Sequence, residues 1–229
     1  MNTFRTEEEQ LDAIKRWWRE NGISTAVGVV LALGAVFGWR GWQDHQQNRA
    51  AEASAVFQQL LEADAAYQRD GTRKLAALEL ADTLRDDFAG HSYAHFATLM
   101  KAKYAAQDGN FGEAETLLQS VLDDAPNQAV AQQVKVRLAQ LSVAQQQYDQ
   151  ALTHLQGLEE GGYAPQAAEI RGDIKLAQGD SAGALEAYTE ARRLSAESEI
   201  PTDNPVLEMK INDLRTQRSG SPDADQQGA

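Results

Sequence analysis

The sequence predicts an all-α chain: a single N-terminal transmembrane helix, then an α-solenoid of helical pairs with a C-terminal capping helix. Three observations carry this. Ile23 to Trp39 is seventeen residues without a charge. From Gln43 onward apolar residues recur at helical spacing, with few glycines or prolines and no alternating strand pattern. Small residues and turn signals also return at intervals of 33 to 37 residues.

Residues 1–20 read as an amphipathic cytoplasmic head. Thr6 with Glu9 three residues on forms a capping box, after which Leu11, Ile14 and Trp18 share one helical face. Lys15, Arg16 and Arg19 would then lie near lipid phosphates at the interface. Residues 21–42 read as the span. At 1.5 Å per residue the uncharged run covers about 25 Å, close to a hydrocarbon core. Trp17, Trp18, Trp39 and Trp42, all the tryptophans of the chain, flank it where amphipathic indoles favour the interfaces. A cleaved signal peptide would begin with a short basic region and end at small residues. Here about twenty polar residues precede the run and Trp39-Arg40-Gly41-Trp42 follows it, so the anchor is expected to stay. Arg5, Lys15, Arg16 and Arg19 before the span outnumber Arg40 and Arg49 after it, which puts the N-terminus inside and the remainder of a bacterial chain in the periplasm. Gly28 with Ala32, and Gly34 with Gly38, are small-xxx-small pairs that would let a second membrane helix approach closely.

Residues 43–217 read as the solenoid. Asp108-Gly109-Asn110-Phe111 precedes Ala114, Gln147-Tyr148 precedes Ala151, and Gly179-Asp180 precedes Ala184. These alanines are 37 and 33 residues apart, bracketing the 34-residue tetratricopeptide period. Ala102, Ala139 and Gly172 fall twelve residues before them, the small first-helix position where two helices of a pair cross. Leu80 to Asp87 resembles Leu118 to Ala125 at an offset of 38, which suggests an earlier, degenerate pair. Ser195 to Thr202 reads as a loop, Asn204-Pro205 starts the capping helix with Leu207, Ile211 and Leu214, and residues 218–229 read as a disordered tail.

Composition narrows the function. The residues up to Arg49 balance six bases against six acids, so the other 28 acids and 15 bases carry the whole net charge of −13. Such a surface disfavours nucleic acid and points to a protein partner. With no cysteine, thiol catalysis, disulfides and cysteine-ligated zinc are excluded. His91 and His95 have the i, i+4 spacing of a metal pair but no third ligand, and are read as partly solvated residues at a helix start. No serine has an evident base, and no glycine loop follows a strand. The expectation is therefore a non-catalytic protein without cofactor or metal. A solenoid instead offers a face lined by its first helices, on which a peptide can lie. Counted from the small positions, that face would carry Phe96, Leu99 and Lys103, then Gln133, Val136 and Gln140, then Glu169, Asp173 and Leu176. Leu99, Val136 and Leu176 also suit ordinary core positions.

Several blocks together resemble one known family. Asp12-Ala13-Ile14-Lys15-Arg16-Trp17-Trp18 with Glu20-Asn21-Gly22, Ala26-Val27-Gly28-Val29 and Gly38-Trp39-Arg40 surround the span. Val136-Arg137-Leu138-Ala139, Leu176-Ala177-Gln178-Gly179-Asp180 and Met209-Lys210-Ile211-Asn212-Asp213-Leu214 follow in order. The chain resembles the YfgM family, the ancillary subunits of the bacterial SecYEG translocon. The resemblance implies an inner-membrane protein with a periplasmic tetratricopeptide-like domain, associated with SecYEG and with the periplasmic chaperone PpiD, helping exported client proteins leave the translocon. It supplies no catalytic residues. A different class of reading for the same architecture is a membrane-anchored scaffold for envelope stress signalling or envelope assembly.

Overall fold

The computed structural model describes residues 7–198 and 203–219. Among them the chain is wholly helical, in the order α1 (Glu7–Asp70), α2 (Lys74–Asp87), α3 (Ser92–Gln107), α4 (Phe111–Asp123), α5 (Gln128–Ala144), α6 (Tyr148–His154), α7 (Ala164–Ala177), α8 (Ser181–Glu197) and α9 (Pro205–Ser219). Two compact units are present, Met1–Ala55 and Val56–Ala229, and their boundary falls within α1.

In the first unit the expected short head helix is not separate from the span. α1 begins at Glu7 and continues through Asn21-Gly22, while Thr6 of the expected capping box lies outside the described residues. A helical glycine costs about 1 kcal/mol relative to alanine. Gly22 offsets part of this because the Trp18 indole lies over it, so close that a Cβ there would sit 3.2 Å from the ring. Asn21 also donates its amide N–H to the Trp17 carbonyl at 3.2 Å. α1 contains a stretch long and apolar enough to cross a membrane. Val30 and Leu31 are 67% and 68% exposed, apolar surface with no protein cover, which is costly in water at about 25 cal/mol per Å² and free in lipid. Trp18 and Trp39 are separated along the helix by about 32 Å, the thickness of the layer they are suited to bracket. Each tryptophan pair stacks locally, with centroids 6.4 Å apart for Trp17–Trp18 and 5.3 Å for Trp39–Trp42.

The second unit is the solenoid. Helices consecutive in sequence pack together from α2 to α9, except that α5 reaches past the short α6 to α7. Three apolar clusters follow one another along the stack. The first joins α3, α4 and α5 through Leu99, Leu118 and Leu138; the second joins α5, α6 and α7 through Val136, Ala151 and Ile174. The third seats α9 on α7 and α8 through Leu207, Ile211 and Leu214, so the last helix caps the stack as the apolar spacing predicted.

The repeat is visible in the backbone. Gly109, Gln146 and Gly179 are left-handed, with φ of 77°, 60° and 85°, and each ends a first helix. At each turn the next residue returns a hydrogen bond across the end of that helix: Asn110 to Ala105, Gln147 to Ser142 and Asp180 to Lys175. The carbonyls of Asn110, Gln147 and Asp180 then accept from the N–H groups of Ala114, Ala151 and Ala184. Arg73 accepts from Ala77 in the same way at the start of α2. Ala77, Ala114, Ala151 and Ala184 are all fully buried. The degenerate first pair is therefore real, and its register is Ala77 on Ala114, Ala81 on Leu118 and Leu84 on Val121, an offset of 37 rather than the expected 38. The match between the two Leu-rich strings was one residue out because neither string contains the buried alanine that fixes the crossing.

Two boundaries differ from expectation. α8 extends through Ser195 to Glu197, because Arg193 bridges Glu190 and Glu197, both at 2.6 Å, across its last turns. α9 continues through Arg218 to Ser219, and the rest of the expected tail lies outside the described residues.

The crossing at Gly172 is the tightest. A Cβ built there would lie 2.4 Å from Cε1 of Tyr188, a fully buried ring whose hydroxyl donates to Asp173 at 2.7 Å. Gly172→Ala is expected to destabilise the full chain in detergent by about 1–3 kcal/mol, while Gln146→Gly, which relieves a left-handed non-glycine residue, stabilises it by about 1 kcal/mol. Denaturant midpoints measure both, and a neutral Gly172→Ala would refute the crossing.

Candidate interaction surfaces

Two kinds of surface are available, one in each unit. On α1, Cβ atoms added at Gly28, Gly34 or Gly38 would meet nothing within 4 Å, so the small positions are open. On an ideal helix the pair Gly28/Ala32 and the pair Gly34/Gly38 lie on faces about 120° apart, so they form two shallow strips and not one. Gly41, not singled out from the sequence, extends the second strip by one more turn. The signal was its i+7 spacing from Gly34.

The first-helix face of the solenoid divides in three. On α3, Phe96 is 43% exposed and its ring lies 6.0 Å from Phe57, whereas Leu99 is buried in the first apolar cluster. Lys103 pairs with Asp64 at 3.2 Å, and the same carboxylate accepts from the Tyr104 hydroxyl at 2.7 Å. Burial acts to raise the Asp64 pKa, but the hydrogen bonds from Tyr104, Gln68 and Lys103 outweigh it and hold the group below its ordinary 3.8. Burial and that same bond push the Tyr104 hydroxyl well above its usual range.

On α5, Gln133 is half-buried, Val136 is buried in the second apolar cluster, and Gln140 is exposed. Leu99 and Val136 are thus core side chains rather than free groove residues. Each falls one helical turn from a small crossing position and is drawn toward the neighbouring helix.

On α7, Leu176 is 40% exposed, but Glu169 and Asp173 are taken by the capping helix. Lys210 of α9 reaches Glu169 at 2.9 Å and Asp173 at 2.6 Å, and Asn204 donates to Glu169 at 3.0 Å. Burial works against the Lys210 charge, yet its bonds to Asp173 and Glu169 dominate and raise its pKa. Burial and the bond to Asp173 likewise push Tyr188 far above its usual value. Sequence spacing carries no signal that α9 brings a cation to these two acids, since Lys210 and Asp173 are 37 residues apart in the chain.

Leu99, Lys103 and Gln140 do come together, at a cleft of about 330 Å³ between α3, α4 and α5. Its walls are mainly apolar, from Ala102, Ala106, Phe111, Leu118 and Leu141, with Gln107 and Arg137 at its polar edge. Arg137 was not singled out as a site residue. The available signal was that α5 carries Lys135 and Arg137 and no acid, in a chain with thirteen more acids than bases. Nearby on α6, burial lowers the His154 pKa, with Lys135 adding to the effect and Glu115 opposing it. His91 sits at the N-cap position of α3 without a side-chain capping bond, and His95 Nε2 lies 2.9 Å from the Asp124 carbonyl oxygen. Among the described residues no three His, Cys, Asp or Glu side chains are grouped as a metal site.

A family model described as a tetratricopeptide repeat-like domain matches residues 15–216, which includes the apolar stretch of α1, helices α2 to α8 and most of α9. A protein of Haemophilus influenzae is 31% identical over 208 residues, covering 91% of this chain and 97% of its own length. One of Escherichia coli is 31% identical over 215 residues, covering 93% and 99%. Both carry the name ancillary SecYEG translocon subunit. The chain belongs to this family. A Neisseria gonorrhoeae relative of the same name is 26% identical over 209 residues. No solved structure matches the chain. The family match spans both units, so the membrane helix and the solenoid are shared parts of one architecture.

The Lys210 contacts predict how the groove ends. Lys210→Met leaves Glu169 and Asp173 side by side without their cation, and is expected to cost about 1–3 kcal/mol. Amide exchange of α9 should then accelerate about tenfold or more, with α3 and α4 unchanged. Unaltered exchange in α9 would show that apolar packing alone holds it.

Proposed function

We propose that this chain is an inner-membrane, non-catalytic subunit that associates with the SecYEG translocon and assists exported proteins as they leave it. The observation that carries the reading is the match to ancillary SecYEG translocon subunits over almost their entire length, membrane helix included. In this reading residues 1–20 are cytoplasmic, 21–42 span the bilayer, and 43–217 form the periplasmic domain. The excess of Lys and Arg before the span supports that orientation. The solenoid engages a periplasmic chaperone such as PpiD, or an emerging client, through the surface of α3 and α5. Its acidic character keeps it off anionic headgroups and leaves it facing the aqueous compartment.

The open strip of Gly34 and Gly38 supplies the membrane contact. Small residues allow backbones to approach within van der Waals distance, where packing replaces the missing hydrophobic drive. Replacing both by Leu is expected to lower recovery of SecYEG with the affinity-purified full chain about fivefold, on the order of 1 kcal/mol. Gly28→Leu with Ala32→Leu serves as the comparison on the other face. Equal recovery from all three proteins would remove the glycine strip from the docking surface.

A further inference from the structure

The charged side chains lining the cleft between α3, α4 and α5 are opposite in sign to the chain's net charge. Its lining includes two cations, Lys103 and Arg137, and no carboxylate, in a chain of 34 acids and 21 bases. Lys103 is matched by Asp64, but Arg137 is not matched. Among the described residues its guanidinium has no hydrogen-bond or ion-pair partner, and its Nε is shielded from solvent without an acceptor. A guanidinium has five donors and no means of neutralising itself, so a donor hidden from water without an acceptor is a standing cost. Lys101, Lys74 and Lys210 are tied to Asp82, Asp108 and Asp173, and among the described residues Arg137 is the one Lys or Arg with a side-chain nitrogen both hidden from solvent and without an acceptor.

The apolar part of the cleft completes the specification. Phe111, Leu118 and Leu141 wall a space of about 330 Å³, at the small end of the range for ligand pockets and suited to one or two side chains. Gln107 and Gln140 stand at its edge with amide groups that both donate and accept, as a peptide backbone requires. We infer that this cleft binds an apolar side chain of an extended protein segment while Arg137 pairs with an Asp or Glu neighbouring that side chain. The inference rests on the reading of the solenoid as a protein-binding domain and deepens it, giving the class of sequence it selects. The chain's own net charge of −13 repels acidic segments at long range. Recognition of one is therefore local, made by a desolvated Arg–carboxylate contact that salt screens less than it screens the surface field.

The test uses the full chain in nanodiscs and amidated, N-acetylated peptides of one design: a central Leu-Phe flanked by Asp, by Asn or by Lys at the same position. The Asp series is expected to bind about tenfold more tightly than the Asn series, and the Lys series more weakly than either. Arg137→Glu should invert the order, and Arg137→Gln should level it. Phe111→Ala should weaken all three series together, and helix content by circular dichroism confirms folding of each variant. A preference for Asp that survives Arg137→Gln would overturn the assignment, as would equal binding of the three series to the unmodified chain. Equal binding of a free-acid form of the Asn peptide and the amidated Asp peptide, with the amidated Asn peptide weaker than both, would show recognition of a chain terminus and would also overturn it. If none of the peptides binds, the cleft is not the recognition site, whereas translocon association is read separately from SecYEG recovery and stands or falls by that result.

Discussion

Two helices cross closely only where the side chains between them are small, and the solenoid depends on meeting that condition four times. Ala77, Ala114, Ala151 and Ala184 are all fully buried, each one turn into a second helix. Ala102, Ala139 and Gly172 supply the matching low points on the first helices. The left-handed residue between the two sets turns the chain back in a fixed geometry, so the larger side chains around it stack into successive clusters. At Gly172 the condition is met without a Cβ because the partner is a tyrosine ring. The cleft owes its existence to the same rule: small Ala102 and Ala106 on α3 leave space that Phe111 and Leu141 border but do not fill.

The ends of the stack are then closed by polar contacts. Asp64 on the last part of α1 holds Lys103 and Tyr104 of α3, and Lys210 on α9 holds Glu169 and Asp173 of α7. Each contact removes first-helix positions from the surface available to a partner. What is left open is central, on α3 and α5, where Gln140, Lys103 and Arg137 meet. The membrane unit has a different economy. Over residues 21–42 its apolar side chains are exposed, and among those residues only Gly22 is buried, by a tryptophan of its own helix.

Much of this was legible in the sequence, for local reasons. An uncharged run of membrane length, glycines or short polar residues at turns, and alanines at a regular interval are each written in contiguous residues. The capping helix was legible because Leu207, Ile211 and Leu214 repeat at helical spacing. What failed involved distance or register. The spacing of Leu99 and Val136 suits groove and core alike, and only the neighbouring helix decides for the core, with Leu99 still lining the cleft. Glu169 and Asp173 looked free because their partner lies on the last helix. The offset of the first pair was misjudged by one residue because leucine similarity does not mark the crossing, whereas a buried alanine does. Arg137 is legible only in part: α5 has no acid of its own, but whether one reaches it from another helix depends on the fold.

The most direct measurement is photocrosslinking in native membranes from a reactive residue at Val30 in the span and, separately, at Gln140 on the edge of the cleft. The account predicts translocon subunits among the adducts of Val30, and a periplasmic chaperone or exported chains among those of Gln140. If neither position reached the export machinery while Gln140 captured an envelope regulator, the chain would be a signalling or assembly scaffold, and the translocon reading would be wrong.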